Sequence, residues 1–184
     1  MKNKKPSIHK IETTASSHIF QIEAVDLEFS NGEKRQYERL VSRGSGAVLI
    51  VPMLDEDTFL LIREYSVGKE CYELALPKGK VEKGEAFLDA ANREIMEEVG
   101  YEAAHLELLK KISLAPTYMS HQTHLILATE LSPHREDGDE PEELEVVPWK
   151  FSQLDALLAR DDFTEARSIA ALFLARERLQ RDKI

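Results

Sequence analysis

The feature that most limits what this chain can become is a helix with a badly placed set of charges. Residues 85–99 read as helical, because Leu88, Ala91, Ile95 and Val99 recur at helical spacing as an apolar stripe. Gly84 can serve as N-cap, and Gly100 is the usual residue just past a helix end. Beside the stripe, Glu94, Glu97 and Glu98 stand three and four residues apart, so all three carboxylates share one face. Like charges at these spacings repel by about 0.2–0.5 kcal/mol per pair. They also sit at the negative end of the helix dipole. The helix has no lysine, and Arg93 is its one cation. Clustered glutamates are ordinarily a solvated face. Local rules broken in so concentrated a way point instead to a functional site. A hard divalent cation such as Mg²⁺ would turn the repulsion into a set of oxygen ligands.

The same residues carry a resemblance. Gly79, five residues, Glu85, seven residues and then Arg93-Glu94-Ile95-Met96-Glu97-Glu98-Val99-Gly100-Tyr101 resemble a complete Nudix box, with every fixed position filled. The resemblance implies a hydrolase that cleaves a nucleoside diphosphate linked to another group. It extends further, through DLEFSNGEKRQYERL, IREY…YEL, the proline-tyrosine loop, GDEPE and EARSIAALFLARERL. Those stretches are similar to family members that hydrolyse ADP-linked compounds such as ADP-ribose, NADH and diadenosine polyphosphates. One departure from the ADP-ribose pyrophosphatase branch stands out. Where that branch often has Gln-aromatic-Arg, this chain has Glu64-Tyr65-Ser66, which favours a broader enzyme over a dedicated ADP-ribose hydrolase.

Composition narrows the partners. The 184 residues suit one domain with a sizeable core. A net charge of −10 argues against a general nucleic-acid binder and leaves anionic substrates in need of a cation. No apolar run is long enough to span a membrane. The basic start has no apolar signal region after it, so it reads as a loose tail. Cys71 is the only cysteine and lies in an apolar stretch, as a core residue would; the expected location is the cytoplasm.

Residues 18–30 and 33–41 read as two strands around Asn31-Gly32, a hairpin turn signal. Further strands are expected at 47–54, 58–65, 71–76, 106–114, 123–131 and 146–149. A short helix should begin at Ser152 and a longer one, capped by Thr164, should run to 180. This order suggests an α/β class. The resemblance specifies an α/β/α sandwich with a mixed sheet, preceded by an N-terminal β-hairpin. The expected division is a tail and hairpin arm over 1–45 and a hydrolase core over 46–184, with the arm helping to build a homodimer.

The resemblance assigns roles residue by residue. Glu94 and Glu98 would hold Mg²⁺ (or Mn²⁺), with Glu97 a ligand or an outer group and the backbone carbonyl of Lys78 a further ligand. Glu85 and Arg93 would pair to fix the loop against the helix. The general base would be a glutamate in the acidic loop 133–145, Glu142 or Glu140, with Glu97 as the fallback. Substrate contacts are open: Arg63 could reach a phosphate or pair with Glu64 or Glu73, and Tyr118 could stack on adenine or stay a surface tyrosine. Arg39 and Arg43 could reach substrate across a dimer. Two rival readings are a non-catalytic nucleotide-sensing domain and a hydrolase of another substrate, such as a nucleoside diphosphate sugar.

Overall fold

The computed structural model describes residues 4–42 and 44–181. They form two compact units. One gathers the chain up to Gly46 together with Ser113–Gln122; the other takes Ala47–Ile112 and the chain from Thr123 onward.

The first unit is a three-stranded antiparallel sheet, β1 (Ser7–Ser16), β2 (Gln21–Glu28) and β3 (Lys34–Val41), in that order. The β2–β3 hairpin is the one expected at Asn31-Gly32. Gly32 takes φ +85°, and the Asn31 side chain accepts the Glu33 N–H at 3.1 Å. Strand β1 corrects the reading of the N-terminus as a loose tail. Its register against β2 shifts between Ile8 and Lys10 and again between Thr13 and Ala15. Two such irregularities break the period-two alternation by which a strand is read. Every residue of β1 is exposed, so no apolar stripe advertised it.

The second unit is built around β4 (Ala47–Pro52), with no exposed residue. It pairs in parallel with β9 (Gln122–Pro133) and antiparallel with β7 (Lys78–Lys80), in a mixed sheet completed by β8 (Tyr101–Ser113). A second sheet joins β10 (Glu145–Lys150), β5 (Thr58–Ser66) and β6 (Cys71–Ala75) antiparallel. Alternate residues of the inner strands enter different cores. Leu49, Val51, Phe59, Leu61, Leu125 and Leu127 cluster with Ala171, Leu172 and Ala175 of helix α3 (Ala166–Arg181) and with α2 (Leu154–Leu158). Val48, Ile50, Leu60, Ile62 and Ile126 cluster with Ala90, Ala91 and Ile95 of α1 (Phe87–Glu98). Burial on both faces explains why these strands read as continuous apolar runs, and helices on either side make the expected α/β/α sandwich.

Three local expectations change. Helix α1 begins two residues later than read: its N-cap position is Ala86, with no side-chain cap, because the Glu85 carboxylate is held outside the helix by Arg93 and the Glu82 N–H. Cys71 is exposed, at the start of a strand whose burial begins only at Glu73. The last helix is capped not by Thr164 but by Glu165, which accepts the Ser168 N–H at 2.6 Å and its hydroxyl at 2.8 Å; Thr164 donates to Glu73.

Ser168 is fully buried and its hydroxyl oxygen accepts the Leu76 N–H at 3.0 Å, tying α3 to the strand that leads into the site. Ser168→Ala removes that acceptor from a buried N–H, at a cost of about 1–3 kcal/mol. Thermal unfolding should register a clear fall in Tm; an unchanged Tm would contradict this role.

Candidate active site

The site grows from the junction of β7 and α1. Lys78 donates its backbone N–H to Glu98 Oε2 at 2.9 Å. One residue on, a Cβ at Gly79 would overlap the Glu94 carboxylate. Residue 79 must therefore be glycine for the carboxylate to lie on the strand backbone. Glu94 and Glu98 are 7% and 3% exposed, which is rare for carboxylates. They share the helix face next to Ile95, whose burial draws them in.

Arg93 fastens the group. Its Nε donates to Glu85 Oε1 at 3.0 Å, Nη2 to the Lys80 carbonyl at 3.1 Å, and Nη1 to Glu97 Oε2 at 2.8 Å, with Glu94 Oε1 at 2.9 Å. The planar guanidinium serves three carboxylates and a carbonyl at once, which a lysine could not do. Hydrogen bonding from Arg93 holds the Glu85 carboxyl below its ordinary value. Burial acts the other way on the pair that faces inward. It pushes Glu94 up to about 7 and Glu98 up to about 8, opposed by Arg93 in the first case and Lys78 in the second.

The acidic loop joins this face. His134 N–H donates to the Gly100 carbonyl at 3.1 Å and Glu136 N–H to the Met96 carbonyl at 3.3 Å, so the loop satisfies carbonyls at the end of α1. Gly138 lies against Glu97, and the Glu140 carboxylate folds back over it. The Glu140 charge is felt by both Glu94 and Glu98, raising each further. Glu142 is turned elsewhere, accepting the Tyr72 hydroxyl at 2.7 Å.

The structure thus brings together Lys78, Glu85, Arg93, Glu94, Glu97, Glu98 and Glu140. Arg63 stands apart from them, donating to Glu145 at 2.8 Å and Asp162 at 2.9 Å rather than pairing with Glu64 or Glu73. Arg39 and Tyr118 belong to the N-terminal unit, where Arg39 is bidentate to Glu23 and Tyr118 is exposed. Arg43 lies outside the described residues. Sequence reasoning missed the Lys78 ammonium, which pairs with Glu64 at 2.5 Å, and Arg135, which lies over Gly100. Both contacts join residues far apart in the chain, and no local pattern signals them.

Among the described residues, no three His, Cys, Asp or Glu side chains converge as a finished metal cage. Glu94 and Glu97 lean toward Arg93, and Glu98 toward the Lys78 N–H. The donor set nevertheless suits a hard divalent cation, because it is all oxygen and its buried carboxylates are short of positive charge.

A fold with this carboxylate-bearing helix between a glycine-containing strand and an acidic loop defines a Nudix hydrolase, and the chain belongs to that family: a NUDIX domain matches residues 45–173. A NudE-type Nudix hydrolase N-terminal domain matches residues 6–39. The chain is 49% identical over 176 residues to the ADP compounds hydrolase NudE of Escherichia coli (strain K12), covering 96% of this chain and 94% of that one. It is 28% identical over 168 residues to the ADP-ribose pyrophosphatase of Bacillus subtilis (strain 168), covering 88% and 90%. A crystal structure of an ADP compounds hydrolase superposes with a TM-score of 0.91 at 47% identity, covering 99% of this chain and 98% of that one. The family resemblance read in the box, and the sandwich it implied, are borne out. Members of the family generally use divalent metal ions. No helix among the described residues is long and apolar enough to cross a membrane.

The raised carboxyls have a consequence for stability. A carboxyl whose folded value exceeds its unfolded value of about 4.5 contributes stability fully below that pH and loses it as pH rises through the folded value. Metal-free protein should therefore lose a few kcal/mol between about pH 5 and about pH 9, and a divalent cation should restore most of it. Thermal unfolding across that range, with chelator and with metal, checks this. A flat metal-free profile would contradict it.

Proposed function

We propose that this chain is a Mg²⁺-dependent pyrophosphohydrolase of ADP-linked compounds, among them ADP-ribose, NADH and diadenosine polyphosphates, releasing AMP or a related nucleotide. The observation that carries the reading is the pair of buried carboxylates, Glu94 and Glu98, seated on the Gly79 backbone with too little positive charge around them. The likeness to an ADP compounds hydrolase over 96% of the chain supports the substrate class.

Glu94 and Glu98, with the Lys78 carbonyl, would hold Mg²⁺ or Mn²⁺. Once bound, the cation supplies charge neutralisation for the diphosphate and for the developing transition state. Glu97 is engaged by Arg93, which suits an outer role. Arg93 and Glu85 keep the helix registered on β7 and touch no substrate. The base is a glutamate of the acidic loop, and Glu140 is favoured over Glu142 because its charge reaches the metal-binding carboxylates. Glu140 takes a proton from the attacking water as it adds to phosphorus and the bridging oxygen leaves. Ser66 stands where an arginine would clamp ADP-ribose, which suits a wide range of ADP compounds.

The working form is a homodimer. Both faces of the N-terminal sheet's first strand are exposed, and Ile8, Ile11, Ile19, Phe20 and Tyr37 leave apolar surface that a second copy can cover. Sedimentation at micromolar concentration should give twice the 21.0 kDa mass; a monomer would contradict this.

A hydrolysis panel with Mg²⁺ tests the activity. ADP-ribose, NADH and diadenosine polyphosphates should be cleaved and UDP-sugars poorly. No cleavage at all would favour a nucleotide sensor, and preference for nucleoside diphosphate sugars would favour the other substrate class. On the best substrate, Glu98→Gln should nearly abolish turnover. Glu140→Gln should lower kcat by about 10²–10⁴-fold with KM little changed. If Glu140→Gln stays within a few-fold of the parent, the base lies elsewhere.

A further inference from the structure

The acidic loop is held at its start by backbone groups: His134 and Glu136 bond to the carbonyls of Gly100 and Met96. At its far end Leu144 is buried in the core cluster that contains α1. Glu140 sits in the stretch between these anchors. Within that stretch a side-chain tie reaches back to the sheet: the Tyr72 hydroxyl donates to Glu142 Oε1 at 2.7 Å, two residues from Glu140. Tyr72 is half exposed but held by its strand and by a ring neighbour. It lies on β6, directly opposite Tyr65 of β5, and the two rings meet edge to face with centroids 5.4 Å apart. A phenol has two rotatable bonds, and this one is braced by a neighbouring aromatic. The acceptor is a carboxylate, so the hydrogen bond is of the stronger, charge-assisted kind. The same bond pushes the Tyr72 phenol above its ordinary value.

We infer that Tyr72 is a positioning residue for the reaction: by holding Glu142 it sets where the loop stands and so presents Glu140 to the Glu94–Glu98 pair. This rests on the reading of Glu140 as the base. It also gives Glu142 a mechanical task in place of a chemical one. Tyr72 itself touches no reacting atom, so its loss should change the rate and not the binding of substrate.

Tyr72→Phe removes one oxygen and keeps the ring against Tyr65, so the fold survives. Its kcat should fall about five- to tenfold with KM unchanged, the loss of one hydrogen bond of this kind. Glu142→Ala should lose a similar factor. Glu142→Gln, whose amide oxygen can still accept, should lose less than Glu142→Ala. The double variant Tyr72→Phe/Glu142→Ala should be no worse than either single one, because both cut the same tie. Amide hydrogen exchange over residues 137–143 should quicken in Tyr72→Phe. A kcat within twofold of the parent, or a change confined to KM, would overturn the inference. So would additive losses in the double variant, or unaltered exchange. Glu140→Gln, measured alongside, separates the two levels. If it is crippled while Tyr72→Phe is normal, the base stands and the clasp falls; if it is normal, both fall.

Discussion

Everything in the catalytic unit depends on a close approach: the Glu94 carboxylate lying on the backbone of Gly79. A side chain at that position would displace the Glu94 carboxylate from the strand backbone, beside the Lys78 N–H that holds Glu98. The approach carries an electrostatic cost. Burial lifts both carboxyls well above their usual range; Arg93, already shared among Glu85, Glu97 and the Lys80 carbonyl, offsets only part of it at Glu94, and Lys78 only part of it at Glu98. A structural ion pair would have been closed with one more lysine. Leaving the charge unbalanced makes sense where a cation arrives with the substrate's phosphates.

The sandwich exists to make that approach rigid. Strand β4 places Val48 and Ile50 against α1 and Leu49 and Val51 on the side of α3, so the helix carrying the carboxylates is docked on a strand buried from both sides. Strand β7 pairs with β4 at Ala47, Val48 and Leu49, which holds Lys78 and Gly79 opposite the same stretch. Carbonyls left over at the end of α1 then recruit the acidic loop. A feature every helix has, unsatisfied terminal carbonyls, is used here to bring a further carboxylate to the site.

How much of this was legible depended on the range of the interaction. The α1 face, its glycine exit and the buried strands were readable because each is a local period or a local turn residue. Gly100 does take φ +79° and accepts the role of helix terminator. Strand β1 was not readable, because two register shifts scrambled its alternation and none of its residues is buried. The cap at Glu165 was hidden by a better-known capping residue beside it, Thr164, which is drawn off to Glu73. Cys71 was placed inside because its neighbours Leu74 and Ala75 are; it stands at the start of the strand, two residues before burial begins. Glu140 and Glu142 stand two apart in one acidic run, and no periodicity tells which faces the carboxylate pair. Glu142 is drawn off by Tyr72, some seventy residues earlier in the chain.

The central claim is that Glu94 and Glu98 are buried for the sake of a divalent cation. It is tested most directly by titrating Mn²⁺ into the metal-free protein and following free ion by electron paramagnetic resonance, for the parent and for Glu94→Gln/Glu98→Gln. The parent should remove Mn²⁺ from solution, with Mg²⁺ competing for the same site, and the double variant should bind at least about tenfold more weakly. Equal binding by the two proteins would contradict the account.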